Sequence, residues 1–342
     1  VPRAVEEAIE ARVAAGVGSS APFDRVGEVT QDHGGASRYV EAILERVDRA
    51  AIARRKFTVV LDCGNGASVV TSPELLRRLG CRLVTLNGHL DGTFPGRLSE
   101  PVEANLGDLK RAVPSLGADL GIAHDGDADR AVFVDAAGRY VPGEKVLTLL
   151  ARDRVRRKPG SVVVTPVSGT QAIEEAIRPY SGLVVYTRVG SPSVTREMQG
   201  RSAAFGGEEN GGLIFPELQL ARDGAMAAAA VLDYLAREDK TLADAIDDLP
   251  RFTMVKRNVE CPVALRSQVL DRIASSFRGS GARVVTLDGL KVFEEKGWTL
   301  LRPSGTEPLV RVFAESPDPA DAAALAERGI ERVRQALREI SA

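Results

Sequence analysis

The stretch from residue 119 to residue 135 constrains this chain more than any other, because it sets three carboxylates between two apolar runs. Asp119 to Ala123 leads through His124 into Asp125-Gly126-Asp127-Ala128-Asp129-Arg130, and Ala131-Val132-Phe133-Val134 follows. A short apolar run bounded by turn residues reads as a buried strand. The acids therefore sit at a strand's carboxyl end, where open α/β sheets place their ligands. Carboxylates at alternate positions repel one another unless a cation neutralises them. A small set of oxygen-only donors suits Mg²⁺, which keeps open positions for water and a phosphate oxygen. An EF-hand is excluded: counting from Asp125, the sixth position is Arg130 instead of Gly and the twelfth is Ala136 instead of Glu. His124 adjoins the loop, but neighbouring residues of a strand point to opposite faces, which assigns it packing or support of the loop.

The same alternation of strand and helix runs through most of the chain. Residues 58–62 read as a buried strand entering Cys63-Gly64-Asn65-Gly66. A helix follows with Pro73 near its start and Gly80 at its end, and 82–86 is a second strand. This is a βαβ unit of the kind that builds parallel sheets. Helix 105–113 leads to the strand at 119. A second alternation begins near Val141, with helix 144–157, strand 161–165, helix 170–178, strand 183–187, a glycine-rich segment at 206–212 and an alanine-rich helix at 223–237. After Leu249-Pro250 the pattern becomes strand 252–260, helix 265–277, strands 283–287, 290–294 and 298–301, and helix 319–340. The expected fold class is α/β: tandem α/β domains over 30–140 and 141–249, then a small α+β C-terminal domain over 250–342, with the tandem pair as distant structural repeats. Gly64-Asn65-Gly66 opens like a dinucleotide fingerprint, but the third glycine's place is Val69, which argues against a Rossmann site.

A chain of 342 residues exceeds what one core organises, in keeping with several domains. Its 45 basic and 47 acidic side chains are interleaved, so no basic face is available for nucleic acid and the partner is expected to be small. No stretch approaches the roughly 20 apolar residues that cross a bilayer, which excludes a membrane partner and predicts a cytoplasmic location. Cys63, Cys81 and Cys261 are scattered and read as buried free thiols, and His33, His89 and His124 are too few and too far apart for a histidine-based metal centre.

Two further loops can carry chemistry. In Phe205-Gly206-Gly207-Glu208-Glu209-Asn210-Gly211-Gly212, four glycines let the backbone approach a polar ligand, while acids and an amide can bond sugar hydroxyls. In Arg302-Pro303-Ser304-Gly305-Thr306-Glu307-Pro308-Leu309-Val310-Arg311, two arginines bracket a Ser-Gly-Thr turn whose hydroxyls and amides can surround an anion, a combination suited to phosphate.

Together and in this order, "VVLDCGNGAS", "DGTFPGRLSEP", "AHDGDADRAVFVD", "FGGEENGGLIFP" and "GWTLLRPSGTEPLVRVFAE" resemble the α-D-phosphohexomutase superfamily, from about Tyr39 to the C-terminus. The resemblance implies that Asp125, Asp127 and Asp129 bind Mg²⁺, with Arg130 the catalytic arginine near the phosphoserine. It implies that Glu208 and Asn210 read the sugar, aided by a loop containing Arg188, Gly190 and Ser191. Arg302, Ser304, Gly305, Thr306 and Arg311 would hold the non-reacting phosphate. Family sugar loops usually read Gly-Glu-x-Ser-Gly-His, whereas Asn210 and Gly212 stand at the Ser and His positions here. The form present resembles the archaeal branch.

The implied activity is that of a phosphoglucomutase/phosphomannomutase: hexose 1-phosphate and hexose 6-phosphate are interconverted through a phosphoserine and a 1,6-bisphosphate. Alternatives are a phosphoglucosamine mutase, a non-catalytic phosphosugar-binding fragment, or a phosphatase-like enzyme whose nucleophile is Asp125 or Asp127. Family members carry the serine in a Thr-Ala-Ser-His-Asn-Pro-like motif of a first domain, and no such motif occurs here. On this resemblance, residues 1–29 are a remnant of that domain and a linker. The partners are hexose phosphates and an N-terminal phosphoserine-bearing segment or fragment that supplies nucleophile and general base, and the chain alone is inactive.

Overall fold

The computed structural model describes residues 3–16, 18, 20–304 and 307–341. Residues 1–35 form one unit, which contains helix α1 (Arg3–Ala14), and residues 36–342 form a second. The second opens with helices α2 (Gly35–Leu44) and α3 (Arg49–Arg55), then β1 (Thr58–Asp62), α4 (Ser72–Arg78), β2 (Arg82–Leu86), α5 (Gly107–Ser115), β3 (Leu120–His124), β4 (Ala131–Asp135) and β5 (Tyr140–Val141). The sheet order is β2-β1-β3-β4-β5, with β1 parallel to β2 and β3, and β4 antiparallel to β3 and β5. The parallel βαβ unit stands as the sequence predicts. The sheet then turns antiparallel because residues 125–130 are too few for a crossover and can only close a hairpin.

The second α/β domain comprises α6 (Gly143–Arg157), β6 (Val162–Pro166), α7 (Ala172–Ile177), β7 (Leu183–Thr187), α8 (Ser191–Arg201), β8 (Phe205–Gly207), β9 (Leu213–Ile214), α9 (Gly224–Glu238) and α10 (Leu242–Asp247). Its sheet repeats the first in order and sense: β7-β6-β8-β9, with β6 parallel to β7 and β8, and β8 antiparallel to β9. The aspartate loop between β3 and β4 and the glycine-rich loop between β8 and β9 are thus the same hairpin of two structural repeats.

One continuous apolar cluster runs through both α/β domains, from Val40 to Leu249, and α9 forms its seam. Every residue of α9 from Gly224 to Leu235 is buried, Asp233 included, as expected for a helix that is apolar nearly all round. Its alanines let both domains approach closely. Asp223 caps the helix by accepting from Met226 N at 2.8 Å and also receives the Tyr39 hydroxyl at 2.5 Å.

The C-terminal domain is a five-stranded antiparallel sheet, formed by β10 (Thr253–Glu260), β11 (Arg283–Val285), β12 (Leu290–Glu294), β13 (Gly297–Pro303) and β14 (Leu309–Ser316) in the order β10-β14-β13-β12-β11, with helices α11 (Arg266–Ser276) and α12 (Pro319–Ser341). It has its own core around Val269, Leu301, Val312 and Val333. A small cluster of Val167, Trp298 and Leu300 joins it to the second α/β domain. All three cysteines are free and buried. No helix among the described residues is long and apolar enough to cross a membrane.

Candidate functional site

Carboxylate oxygens of Asp125, Asp127 and Asp129 lie within 4.8 Å of one another. Asp125 is buried and Asp127 exposed, and Ala128, between Asp127 and Asp129, takes a left-handed φ of 64°. Other elements buttress the hairpin. Ala67 N donates to Gly126 O at 2.9 Å, and Gly224 N, at the start of α9, donates to Ala128 O at 3.2 Å. A Cβ on Gly66 would stand 2.5 Å from Gly126 O, so only glycine permits that approach. His124 is fully buried, with Nε2 3.1 Å from Ser72 Oγ and Nδ1 2.9 Å from Arg130 O. Burial lowers its pKa to about 4, so it braces the loop as a neutral ring.

Arg130 N donates to Asp125 Oδ1 at 3.1 Å and its Nε to Oδ2, while Nη1 and Nη2 form a fork onto Glu100 at 2.6 and 2.9 Å. Burial, with the Asp129 charge adding to it, pushes Asp125 up to about 6 against the opposing influence of Arg130. Asp129 Oδ2 is held by Arg222 Nε at 2.9 Å, whereas Asp129 Oδ1 is buried, 3.6 Å from Arg130 Nε and without a hydrogen-bond partner among the described residues. A buried acceptor left without a donor is costly. An oxygen-only donor set with one such oxygen fits a hard divalent cation.

Arg222 is the residue the sequence reading missed. Besides Asp129 it holds Glu208 Oε2, through Nη1 at 2.7 Å, so one guanidinium joins the aspartate hairpin to the glycine-rich hairpin. The available signal was an arginine just before a helix start, where the macrodipole disfavours a cation unless acids compensate it. Glu208 is buried, and its Oε1 accepts from Gly190 N at 3.1 Å. Gly190 takes φ 116° immediately before Ser191 starts α8. Asn210 is exposed, and its Oδ1 accepts from Gly212 N at 3.1 Å, closing its own turn. Arg188 is also exposed, and its neighbour Val189 lines the cavity described next.

A cavity of about 380 Å³ opens between the second α/β domain and the C-terminal sheet, lined among others by Ser168, Val189, Glu209, Asn258, Arg302 and Arg311. Arg302 on β13 and Arg311 on β14 are direct cross-strand partners. The hairpin register therefore sets both cations side by side, at a spacing suited to an anion. Arg302 Nε donates to Asp288 Oδ2 at 3.0 Å, and the same oxygen accepts from Val189 N at 3.0 Å, linking Arg302 to the loop containing Arg188 and Gly190. Ser304 Oγ accepts from Glu307 N at 3.2 Å, and the buried Arg266 donates to the carbonyls of Ser304 and Glu307, fixing the loop from beneath. Gly305 and Thr306 lie outside the described residues.

Residues 37–138 match the family model described as phosphoglucomutase/phosphomannomutase, alpha/beta/alpha domain II. Residues 142–252 match alpha/beta/alpha domain III and residues 256–332 the C-terminal domain of the same family. The chain is 40% identical over 302 residues to a phosphoglucomutase/phosphomannomutase of Thermococcus kodakarensis, covering 88% of this chain and 66% of that protein. It is 38% identical over 319 residues to a probable phosphoglucosamine mutase of Methanopyrus kandleri, covering 93% and 70%. It thus spans about two thirds of the length of these curated relatives. A solved phosphoglucomutase/phosphomannomutase family protein from Burkholderia thailandensis superposes with a TM-score of 0.85 at 26% identity, over 98% of this chain and 71% of that one. The fold is also shared, with a TM-score of 0.59 at 19% identity over 88% of this chain and 64% of the other, by Aspergillus fumigatus N-acetylphosphoglucosamine mutase in complex with GlcNAc-6P and magnesium. With three consecutive domain models matched along most of its length, the chain belongs to the α-D-phosphohexomutase superfamily.

Proposed function

We propose that this chain supplies the cation, sugar and phosphate sites of a mutase that interconverts hexose 1-phosphate and hexose 6-phosphate. The observation that carries the reading is the Arg222 bridge between Asp129 and Glu208, which makes the aspartate hairpin and the sugar hairpin one constellation. Asp125, Asp127 and Asp129 would hold Mg²⁺, which neutralises charge on a transferring phosphoryl group. A magnesium complex of a protein sharing the fold supports that choice of ion.

In this scheme a phosphoserine, which belongs to the first domain in the family this chain resembles, donates its phosphoryl group to a sugar hydroxyl. The phosphorus–oxygen bond to serine breaks as the bond to the sugar oxygen forms, and the hydroxyl proton passes to a base. The resulting 1,6-bisphosphate turns over and returns its other phosphoryl group to the serine. Arg130, held beside the triad by Asp125 and Glu100, stabilises the phosphoryl oxygens. Arg302 and Arg311, with Ser304, Gly305 and Thr306, grip the spectator phosphate in either orientation. Glu208 accepts from the sugar hydroxyls, and Asn210, Arg188, Gly190 and Ser191 complete that side.

An aspartyl nucleophile fits the geometry less well. Both oxygens of Asp125 are occupied by Arg130, and Asp127 stands exposed at the tip of the hairpin. A glucosamine phosphate as the preferred substrate is the second reading, favoured because several relatives are named phosphoglucosamine mutases. The test is a mutase assay with Mg²⁺ on glucose, mannose and glucosamine 1-phosphates, run with the chain alone and with a serine-bearing first-domain fragment. Turnover that depends on Asp125, Asp127 and Asp129 supports the reading. Binding of hexose phosphate with no turnover under either condition would leave a phosphosugar-binding module, and labelling of an aspartate by a trapped acyl-phosphate mimic would replace the phosphoserine scheme.

A further inference from the structure

The loop after β6 belongs to the second α/β domain, yet it is held from the C-terminal sheet. Lys291, in β12, is fully buried. Its Nζ donates to Val167 O at 2.9 Å and to Gly169 O at 3.2 Å, the two carbonyls that flank Ser168. The ammonium lies 3.7 Å from the ring centroid of Trp298, 4.6 Å from that of Tyr186 and 5.2 Å from that of Phe293. Burying a charge is costly unless it is hydrogen-bonded, and ring faces add attraction where water is excluded. Glu315 adds a second tie, its Oε2 accepting from Gln171 N at 2.7 Å and from Trp298 Nε1 at 2.8 Å. An apolar side chain could fill a box of three rings, so what lysine adds at this position is the pair of donors to the loop.

That pair fixes the peptide before Ser168 and the peptide after Gly169, and so restrains the short segment from which the Ser168 side chain projects. Ser168 Oγ donates to Glu209, 3.2 Å from Oε1 and 3.4 Å from Oε2. Both residues line the cavity that contains Arg302 and Arg311. Glu209 has no structural duty comparable to that of Glu208, whose two oxygens are taken by Arg222 and Gly190 N. Its carboxylate keeps acceptor capacity beyond the single Ser168 hydroxyl.

We propose that Ser168 and Glu209 form a second sugar-reading pair beside Glu208, and that Lys291 is the positioning residue that presets it. This rests on the phosphohexose reading given above. The ligand group is one that donates to a carboxylate, a pyranose hydroxyl or amino group, while the phosphate goes to the arginines. Docking of the C-terminal domain then sets the sugar side of the cavity as well as the phosphate side.

The experiment is calorimetric titration of the full chain, in Mg²⁺, with glucose 1-phosphate and separately with inorganic phosphate. Lys291→Met and Ser168→Ala should each weaken glucose 1-phosphate binding by about tenfold, the scale of one lost charge-assisted hydrogen bond. Inorganic phosphate should bind within about twofold of the parent, because Arg302 and Arg311 are untouched. The double variant should be no weaker than Lys291→Met alone, since the lysine acts through the serine. Should Lys291→Met fail to fold, Ser168→Ala and Glu209→Gln make the same comparison. Variants that bind glucose 1-phosphate like the parent, effects that add in the double variant, or equal losses for both ligands overturn the proposal. A parent chain that binds phosphate but no hexose phosphate overturns the mutase reading itself, which keeps the two failures apart.

Discussion

Replacing Arg222 by methionine separates the two hairpins that it joins, and the consequences differ in sign. The Glu208 side chain is only 7% exposed, so without Arg222 it is a buried carboxylate supported by Gly190 N alone. Breaking a buried pair from one side costs about 3–5 kcal/mol. Because Arg222 is 19% and Asp129 26% exposed, screening brings the expected loss to about 2–3 kcal/mol. For a body the size of the tandem α/β pair this lowers the melting temperature by about 5–10 °C. Adding Glu208→Gln removes the stranded charge and should recover roughly half of the loss, a coupling that a double-mutant cycle isolates. Magnesium affinity should move the other way. The variant deletes a cation beside the triad and frees Asp129 Oδ2, and one charge at such a distance in a partly exposed site is worth about 1–2 kcal/mol. Titration should therefore show Mg²⁺ binding roughly tenfold tighter while glucose 1-phosphate binds more weakly. If Mg²⁺ binding weakens, or if the double variant melts below Arg222→Met, the bridge does not do what the geometry implies.

Asp127→Asn removes the exposed carboxylate of the triad and should weaken Mg²⁺ binding by about tenfold or more, while inorganic phosphate binding, read by the same calorimetry, stays unchanged. Gly66→Ala drives a Cβ to 2.5 Å from Gly126 O, so the hairpin must shift; a loss of about 1–3 kcal/mol in thermal melting and weaker Mg²⁺ binding are expected together. Burial lowers the Lys291 pKa from the ordinary 10.5 to about 7, against the opposing charges of Glu315 and Glu174, with Arg283 adding to the lowering and Glu209 to the opposition. Between those two values the unfolded chain holds the proton and the folded chain does not. Stability from this group is thus flat below about pH 7 and climbs by about 1 kcal/mol per pH unit above it. Melting curves from about pH 6 to 9 should show this slope in the parent and lose it in Lys291→Met.

The parts legible in the sequence are those that depend on local pattern. Strands at 58–62 and 82–86, the acidic turn and the long terminal helix all announce themselves through apolar runs and turn residues. Helix α8 does not, because SPSVTREMQGR buries only Val194 and Met198. Strand β9 spans Leu213–Ile214 and is too short to carry a period. The aspartate triad and the pair Arg302 and Arg311 are visible because each set lies within one loop or hairpin. Arg222, Asp288 and Lys291 are not, since each acts on residues far away in sequence: Arg222 on Asp129, Asp288 on Val189, Lys291 on Val167 and Gly169. Nothing in a lysine flanked by apolar strand residues distinguishes one that faces water from one that reaches another domain's backbone. Topology had to bring the partners together first.

Helix α9 settles how this protein can come apart. Because it is buried by both α/β domains at once, neither can open locally without exposing the alanine-rich surface that the other needs covered. The two are therefore expected to form one cooperative block, with the aspartate and glycine-rich hairpins lost together. The C-terminal domain has a core of its own and meets its neighbour through a narrow apolar seam and the ties of Lys291, Glu315 and Asp288, so it is expected to release as a separate block. On the proposed reading, release of that block would loosen the grip on a phosphate and the preset of Ser168 and Glu209 together, while the aspartate hairpin and Glu208, tied by Arg222, persist. Under the proposed mutase scheme, that is the asymmetry a ligand would need in order to be let go, turned round and caught again.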